Sequence, residues 1–377
     1  MISIPFNKPF LTGNEIKYIQ QSILSSSLSG NNYFTIKCTQ WLEETLGTPK
    51  ALLTHSCTAA LEMCALLLDI RPGDEIIVPS YTFVSTVNAF VLRGAVPVFV
   101  DIEPTTLNIS ITSIVSSITD KTKVIVAVHY AGHSCDMNEL RNICADYEIF
   151  LVEDAAQAIL SKDSEGSYLG TIGDLGCLSF HETKNIISGE GGALLINNPE
   201  LIERAHVIQE KGTNRTQFLN GLVDKYTWRD LGSSFYPNDI TAAFLYAQLQ
   251  KASYITEQRK KLWSKYHEGL TRLNSSEFSL PTIDYSSDRN NAHIYYVMIN
   301  SAISRPALIS ELKRQSIMAV FHYIPLHSSP AGARFGRFSC KMNVTEDVSA
   351  RLLRLPFWIG LEPDIVIEAL GNFRTSL

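Results

Sequence analysis

Between residues 51 and 196, short apolar runs alternate with helix-patterned stretches, and this rhythm restricts the chain to a narrow set of folds. ALLT (51–54), DEIIVP (74–79), PVFVDI (97–102), KVIVAV (123–128) and IFLVED (149–154) read as strands. Between them lie TAALEMCALLLDI (58–70), TFVSTVNAFVLRGA (82–95) and MNELRNICADY (137–147), with apolar residues at helical spacing. This order predicts an α/β fold, a mostly parallel sheet covered by helices. The strands lack polar alternation, as expected where both faces of a sheet are buried.

From about Asn238 the rhythm changes. Residues 239–273 keep helical spacing well beyond an ordinary globular helix and read as a connector into a second unit. There HIYYVMI (293–299) is a strand and PALISELKRQS (306–316) a helix, followed by another strand and two terminal helices. The boundary falls near residue 250, giving a large domain over 1–250 and a smaller α+β domain over 251–377. A chain of 377 residues, 45% hydrophobic, has the apolar material for both.

Charge and cysteine content close several routes. The formal net charge is −6 with no basic run, which argues against nucleic acid as a partner. A small phosphate-bearing ligand stays open, because a helix N-terminus holds phosphate without a basic patch. Seven cysteines, with no C-x-x-C, support neither a disulfide framework nor a zinc ribbon. Reduced thiols in a cytoplasmic protein are expected instead. No apolar stretch reaches the roughly 18 to 20 residues that span a bilayer. The opening MISIPFNKPFLTGNEIKYI carries no secretory pattern, so no membrane association is expected.

Open parallel sheets bind ligands at the carboxyl ends of their strands, and four polar features fall there. In THSCTAAL, Ser56, Cys57 and Thr58 lead from a strand into a helix, either as an anion site or as an ordinary N-cap. In FLVEDAAQ, Asp154 closes a strand with Gln157 three residues on. It either pairs with a cationic ring nitrogen or caps the next helix. In SFHETKNIISGEGGALLI, Ser179 ends a strand and Lys184 follows in a glycine-rich loop. That lysine is either solvated or a buried amine presented to a carbonyl. In PSYTFVST, Tyr81 and Phe83 offer a flat wall or simply core. Together the four meet the needs of pyridoxal 5'-phosphate (PLP): an amine for the aldehyde, a carboxylate for the ring nitrogen, an anion cradle and a stacking surface.

Taken in order, HSCTAAL, PSYTFVST, VEDAAQ, LSFHETKN, GEGGALL and FHYIPLH resemble the DegT-type sugar aminotransferases, which are fold-type I PLP enzymes. The likeness runs from IPFNKP to the last helix. It implies that Lys184 holds PLP covalently as a Schiff base, with pyridoxamine phosphate as the aminated form. It implies that Asp154 partners the pyridine nitrogen, that Gln157 sits beside the phenolic oxygen and that Phe83, rather than Tyr81, stacks on the ring. Ser56, Cys57, Thr58 and Ser179 match the phosphate cradle. Ser234, in GSSFYPND, stands where many relatives place an asparagine reaching the other subunit's cradle. His322 and Tyr323 match a substrate-side pair. No metal is implied, since His322 and His327 have no third ligand.

Further stretches, THSCTAALEM, EKGTNRTQF, VDKYTWRDLGSS and MAVFHYIPLH, resemble the branch that aminates carbon 4 of a dTDP-linked 4-oxo-6-deoxy sugar. The resemblance therefore implies a nucleotide-sugar substrate, L-glutamate as amino donor, and a role in surface-polysaccharide synthesis. It also implies a homodimer with shared active sites, to which the polar segment 210–230 contributes. Amination at carbon 3, the gluco-configured amine and a PLP-binding regulator without turnover are the alternatives. A dehydratase on the same scaffold carries histidine in place of the lysine, and Lys184 argues against it.

Overall fold

The computed structural model describes residues 3–219, 221–300 and 303–373. Seven strands come first: β1 Lys50–Thr54, β2 Glu75–Pro79, β3 Val96–Val100, β4 Thr122–Val128, β5 Phe150–Asp154, β6 Leu175–Ser179 and β7 Gly192–Ile196. Five shorter strands follow: β8 Phe278–Ser279, β9 Tyr296–Ile299, β10 Val320–Phe321, β11 Arg337–Phe338 and β12 Leu352–Arg354. The large sheet has eight strands in the order β1-β7-β6-β5-β4-β2-β3-β11. All neighbours from β6 to β11 pair parallel, while β7 runs antiparallel to both β1 and β6. The small sheet, β10-β12-β9-β8, is antiparallel throughout. This is the α/β fold expected from the sequence, a mostly parallel sheet accompanied by a smaller second unit.

Successive side chains of the central strands enter different cores, so each strand has to be apolar throughout. Val124 and Val126 of β4 pack with the helix Cys57–Leu67 on one face. Ile125 and Ala127 pack with the helix Met137–Tyr147 on the other. Ile76 and Val78 against Ile77 repeat the division in β2. A polar residue at any of these positions would be desolvated on a face with no partner.

The continuous helical pattern over 239–273 resolves into two helices, Asp239–Leu249 and Ala252–Leu273. Lys251, at φ −114° and ψ 13°, leaves helical geometry between them. Periodicity spans the break because both pieces are helical. Their environments differ: the first is buried against the helices Glu15–Leu24 and Tyr33–Leu46, and the second is amphipathic. Asp239 accepts from the N–H groups of Phe34 and Thr35 (3.4 and 2.9 Å), so it closes the N-terminus of a helix far away in sequence.

The break lies close to residue 250. Two segments reach across it. Arg337–Phe338 pairs with β3 in the large sheet, and Ile4 bridges to Ile317 beside the small one. All seven cysteines are free thiols. Among the described residues no helix is long and apolar enough to cross a membrane, and no group of His, Cys, Asp or Glu is arranged to hold a metal ion.

Candidate active site

A cavity of about 500 Å³ opens at the carboxyl ends of β5 and β6, beside the N-termini of the helices Cys57–Leu67 and Val84–Val91. Ser56, Cys57, Thr58, Phe83, Asp154 and Gln157 line it, as do Ser179, Lys184, His322 and Tyr323. Ser234 does not. It is exposed, bridged to Glu210, and outside the cavity of its own chain. Tyr81 is buried behind the wall that Phe83 presents.

The anion-binding side is built by a helix start and a glycine. Ser56 caps the helix, its Oγ accepting from the Ala59 N–H at 3.1 Å. β7 runs alongside so closely that a Cβ on Gly192 would stand 2.4 Å from the Cys57 backbone nitrogen. The first turn of the helix therefore faces the cavity with N–H groups that have no intrahelical partner. Thr58 Oγ1 donates to Ser85 Oγ (2.8 Å), a cavity hydroxyl that lies within PSYTFVST beside the nominated Phe83. Burial, then the charge of Asp154, pushes the Cys57 thiol well above its usual range, so it lines the wall as a neutral group.

Asp154 is the last residue of β5 and is almost wholly buried. Its Oδ2 accepts from Thr86 Oγ1 at 2.7 Å and its Oδ1 from the Ala156 N–H at 3.1 Å. Those two bonds leave acceptor capacity directed at the cavity. Gln157 is held at both ends of its amide. Oε1 accepts from the Ala131 N–H (2.8 Å) and Nε2 donates to the Tyr323 hydroxyl (3.2 Å).

Lys184 stands in a tight loop after β6. The Lys184 N–H donates to the His181 carbonyl at 2.9 Å, and the Ser188 N–H to that of Phe180 at 2.7 Å. Asn185 anchors the same loop, donating to the Asn291 carbonyl (2.8 Å) and accepting from His293 Nδ1 (2.8 Å). That bond puts the His293 proton on Nδ1 and leaves its other ring nitrogen free as an acceptor. The Lys184 ammonium makes no ion pair with a described residue. Desolvation pulls its pKa below the usual lysine range, opposed by Cys57 and Asp154 and assisted by the positive charge of Arg354. Burial, followed by nearby cations, also holds His293 and His322 well below the ordinary imidazole value. Tyr130 meets His322 Nδ1 at 3.1 Å.

Sequence reading missed Thr86, Ser85, His293 and Arg354. Thr86 is hidden inside an apolar helix, and Arg354 belongs to a three-residue strand of the small sheet. Neither segment has a spacing that singles it out before the two sheets are brought together.

The DegT/DnrJ/EryC1/StrS aminotransferase family model matches residues 11–372. The GDP-perosamine synthase of Vibrio cholerae is 30% identical over 371 residues, covering 97% of this chain and 96% of its own. Among solved structures, the aminotransferase TlmJ of Streptoalloteichus hindustanus superposes with a TM-score of 0.89 at 27% identity, covering 98% of each chain. Spr1654 of Streptococcus pneumoniae, solved in PLP, PMP and apo forms, has a TM-score of 0.88 at 26% identity, over 98% of this chain and 97% (PMP and apo forms) or 98% (PLP form) of its own.

Proposed function

Because this chain belongs to the DegT/DnrJ/EryC1/StrS aminotransferase family, we propose that it moves an amino group from L-glutamate to carbon 4 of dTDP-4-oxo-6-deoxy-D-glucose, yielding dTDP-4-amino-4,6-dideoxy-D-galactose and 2-oxoglutarate. The family and the PLP and PMP forms of Spr1654 indicate pyridoxal phosphate as the cofactor. The observation that carries the reading is Lys184: a desolvated amine without an ion pair among the described residues, in one cavity with the Asp154 carboxylate.

The cavity suits the cofactor group by group. Its volume is that of a small-ligand site, and the helix start at Ser56, Cys57 and Thr58 with the hydroxyl of Ser179 offers donors to a phosphate. Asp154 has acceptor capacity left for a protonated ring nitrogen, and Gln157 lies three residues along the same segment. Phe83 closes one side. Bound there, PLP supplies a carbonyl that accepts the amino group and a cationic ring that withdraws electrons from the carbon losing its proton.

Lys184 would hold the cofactor covalently through its Nζ, and once the donor's amine had displaced it, that Nζ, with its pKa lowered by burial, would take the proton leaving the donor's α-carbon. Asp154, oriented by Thr86, keeps a proton on the ring nitrogen through its charge. His322 and Tyr323 bind the sugar from the small-sheet side. Two copies of the chain assemble with shared sites, each lending Ser234 and the segment 210–230 to the other. Trp228, 77% exposed in that segment, supports this, as does Phe83 at 57% on the cavity rim. The enzyme works in the cytoplasm, supplying an amino sugar for a surface polysaccharide.

The nucleotide is the point on which a relative differs, since the Vibrio cholerae protein is named for a GDP-linked sugar. Mass spectrometry and NMR of the product from glutamate with dTDP-4-oxo-6-deoxyglucose test the proposal. The GDP-linked counterpart and the 3-oxo isomer are run in parallel. The expected product is the galacto-configured 4-amine of the dTDP sugar. Amination of the GDP-linked or 3-oxo substrate alone overturns the substrate assignment.

A further inference from the structure

Tyr130, in the short turn after β4, is fully buried behind the wall of the active-site cavity. Its hydroxyl lies 3.1 Å from Nδ1 of His322, a wall residue that follows β10. Either partner could donate, and the surroundings decide which does. The rings of Tyr81 and Tyr296 flank Tyr130, their centres 5.3 and 6.3 Å away. The Tyr81 hydroxyl is itself buried without a partner, so His322 is the one described group that bonds the Tyr130 hydroxyl. Were the Tyr130 oxygen the acceptor, its own proton would be buried unpaired, which is costly. The positive charge of Arg354 acts in the same sense, attracting the oxygen and turning the O–H toward His322. Nδ1 therefore accepts. Burial, then the charges of Arg354 and Lys184, keeps a second proton off the ring. A neutral imidazole that accepts at Nδ1 carries its proton on Nε2. Among the described residues nothing bonds that nitrogen, and the ring lines the cavity. The other cavity histidine is fixed the opposite way: His293 donates from Nδ1 to Asn185 and leaves Nε2 as an acceptor.

We infer that Tyr130 is a positioning residue: by bonding His322 Nδ1 it holds the Nε2–H as a donor to an oxygen of the keto sugar, an inference that rests on the sugar-aminotransferase reading above. An uncharged donor suits the uncharged oxygens that surround the reacting carbon of a sugar. The amino acid offers carboxylates instead, which a cation serves better. Without the Tyr130 hydroxyl the His322 proton is free to move to Nδ1, and the cavity then meets the sugar oxygen with a lone pair. Tyr130 thus acts on the sugar through His322 without touching it.

Two measurements test this. Nitrogen NMR of the holoenzyme, isotopically labelled in its histidine rings, reads the tautomers directly, with His322 assigned by the signals lost in His322→Gln. At neutral pH the His322 proton should be on Nε2, the reverse of His293. In Tyr130→Phe, which removes only the hydroxyl, the two His322 signals should move toward each other while those of His293 stay. Stopped-flow spectroscopy then separates the half-reactions. In Tyr130→Phe, kcat/KM for the keto sugar with the aminated enzyme should fall by about 10-fold or more, as for a lost hydrogen bond that leaves a buried group unpaired. The glutamate half-reaction should change only a few-fold. Tyr81→Phe, which removes the neighbouring hydroxyl that bonds to nothing, should preserve the His322 signals and both half-reactions. A His322 proton on Nδ1, or equal losses in both half-reactions of Tyr130→Phe, overturns the inference while the aminotransferase reading stands. The wild-type spectrum decides the tautomer if Tyr130→Phe does not fold. A wild-type enzyme that aminates no keto sugar overturns the function proposed above and with it the sugar as the partner of His322.

Discussion

Glu153 and Asp154 are neighbours on β5, both buried, and their side chains point to opposite faces of the sheet. Glu153 is saturated. Its Oε2 accepts from His129 Nε2 (2.9 Å) and the Gly170 N–H (2.7 Å), and its Oε1 from the N–H groups of Ile172 and Gly173 (2.6 and 2.7 Å). Asp154 takes two bonds and turns its remaining capacity to the cavity. Two arginines, Arg259 buried and Arg354 half-buried, repeat the contrast. Arg259 donates to the carbonyls of Ala292 and His293 (3.2 and 2.6 Å), while Arg354 donates to no described residue. Burial alone does not separate a structural polar group from a functional one. Unused bonding capacity that faces the cavity does, as at Asp154.

The comparison predicts where substitutions act on chemistry and where they act on stability. Lys184→Ala, at the open extreme, should lower turnover by about 10⁴-fold or more, measured as 2-oxoglutarate release. Asp154→Asn should retain cofactor but slow both half-reactions by about 10²–10³-fold, the effect of moving a ring pKa by two to three units. Glu153→Gln should do the reverse. It should cost about 1–3 kcal/mol in denaturant unfolding by leaving a buried donor unpaired, with turnover per folded molecule near wild type. If Glu153→Gln and Asp154→Asn slowed turnover alike, the distinction between the two faces of β5 would fail.

A smaller effect concerns acid. His293 and His322 have folded pKa values well below the ordinary 6.5, because burial and neighbouring cations penalise the imidazolium. Between their folded values and 6.5 the unfolded chain binds more protons, so stability is full above about 6.5 and falls as the pH drops below it. Each such group contributes at most about 1.4 kcal/mol per pH unit. His133 and His206, the latter pulled down to about 4 by burial first, add to the same trend. Replacing His293 and His322 by glutamine should flatten the acid limb of a stability–pH curve, and an unchanged limb would show that they are not held neutral.

Much of the large sheet was legible in the sequence because it follows from periodicity. Both faces of β2 and β4 are buried, so their apolar runs are continuous, and MNELRNICADY marks a helix by its spacing alone. The same signal failed at Gln250 and Lys251, where two helices meet without a change of period. Among the nominated residues, those on strand ends and helix starts converge on one cavity, since a parallel sheet brings its carboxyl ends to one edge. Ser234 is on a surface segment of its own chain, and no local pattern states which cavity it serves.

By itself, then, the order of residues determined the α/β class, the strand ends and the amine, carboxylate and hydroxyls placed there. These depend on neighbours a few positions apart, and pattern records such neighbours. Only the tertiary structure decided which polar groups are saturated and which remain open: Thr86 on Asp154, His293 on Asn185, and the Arg354 Nε without a hydrogen-bond partner among the described residues. Those outcomes are set by contacts between segments as far apart as β5, the lysine loop and the last strand of the small sheet. Hydrogen-bond satisfaction is a property of the packed molecule, and no stretch of sequence contains both halves of such a bond.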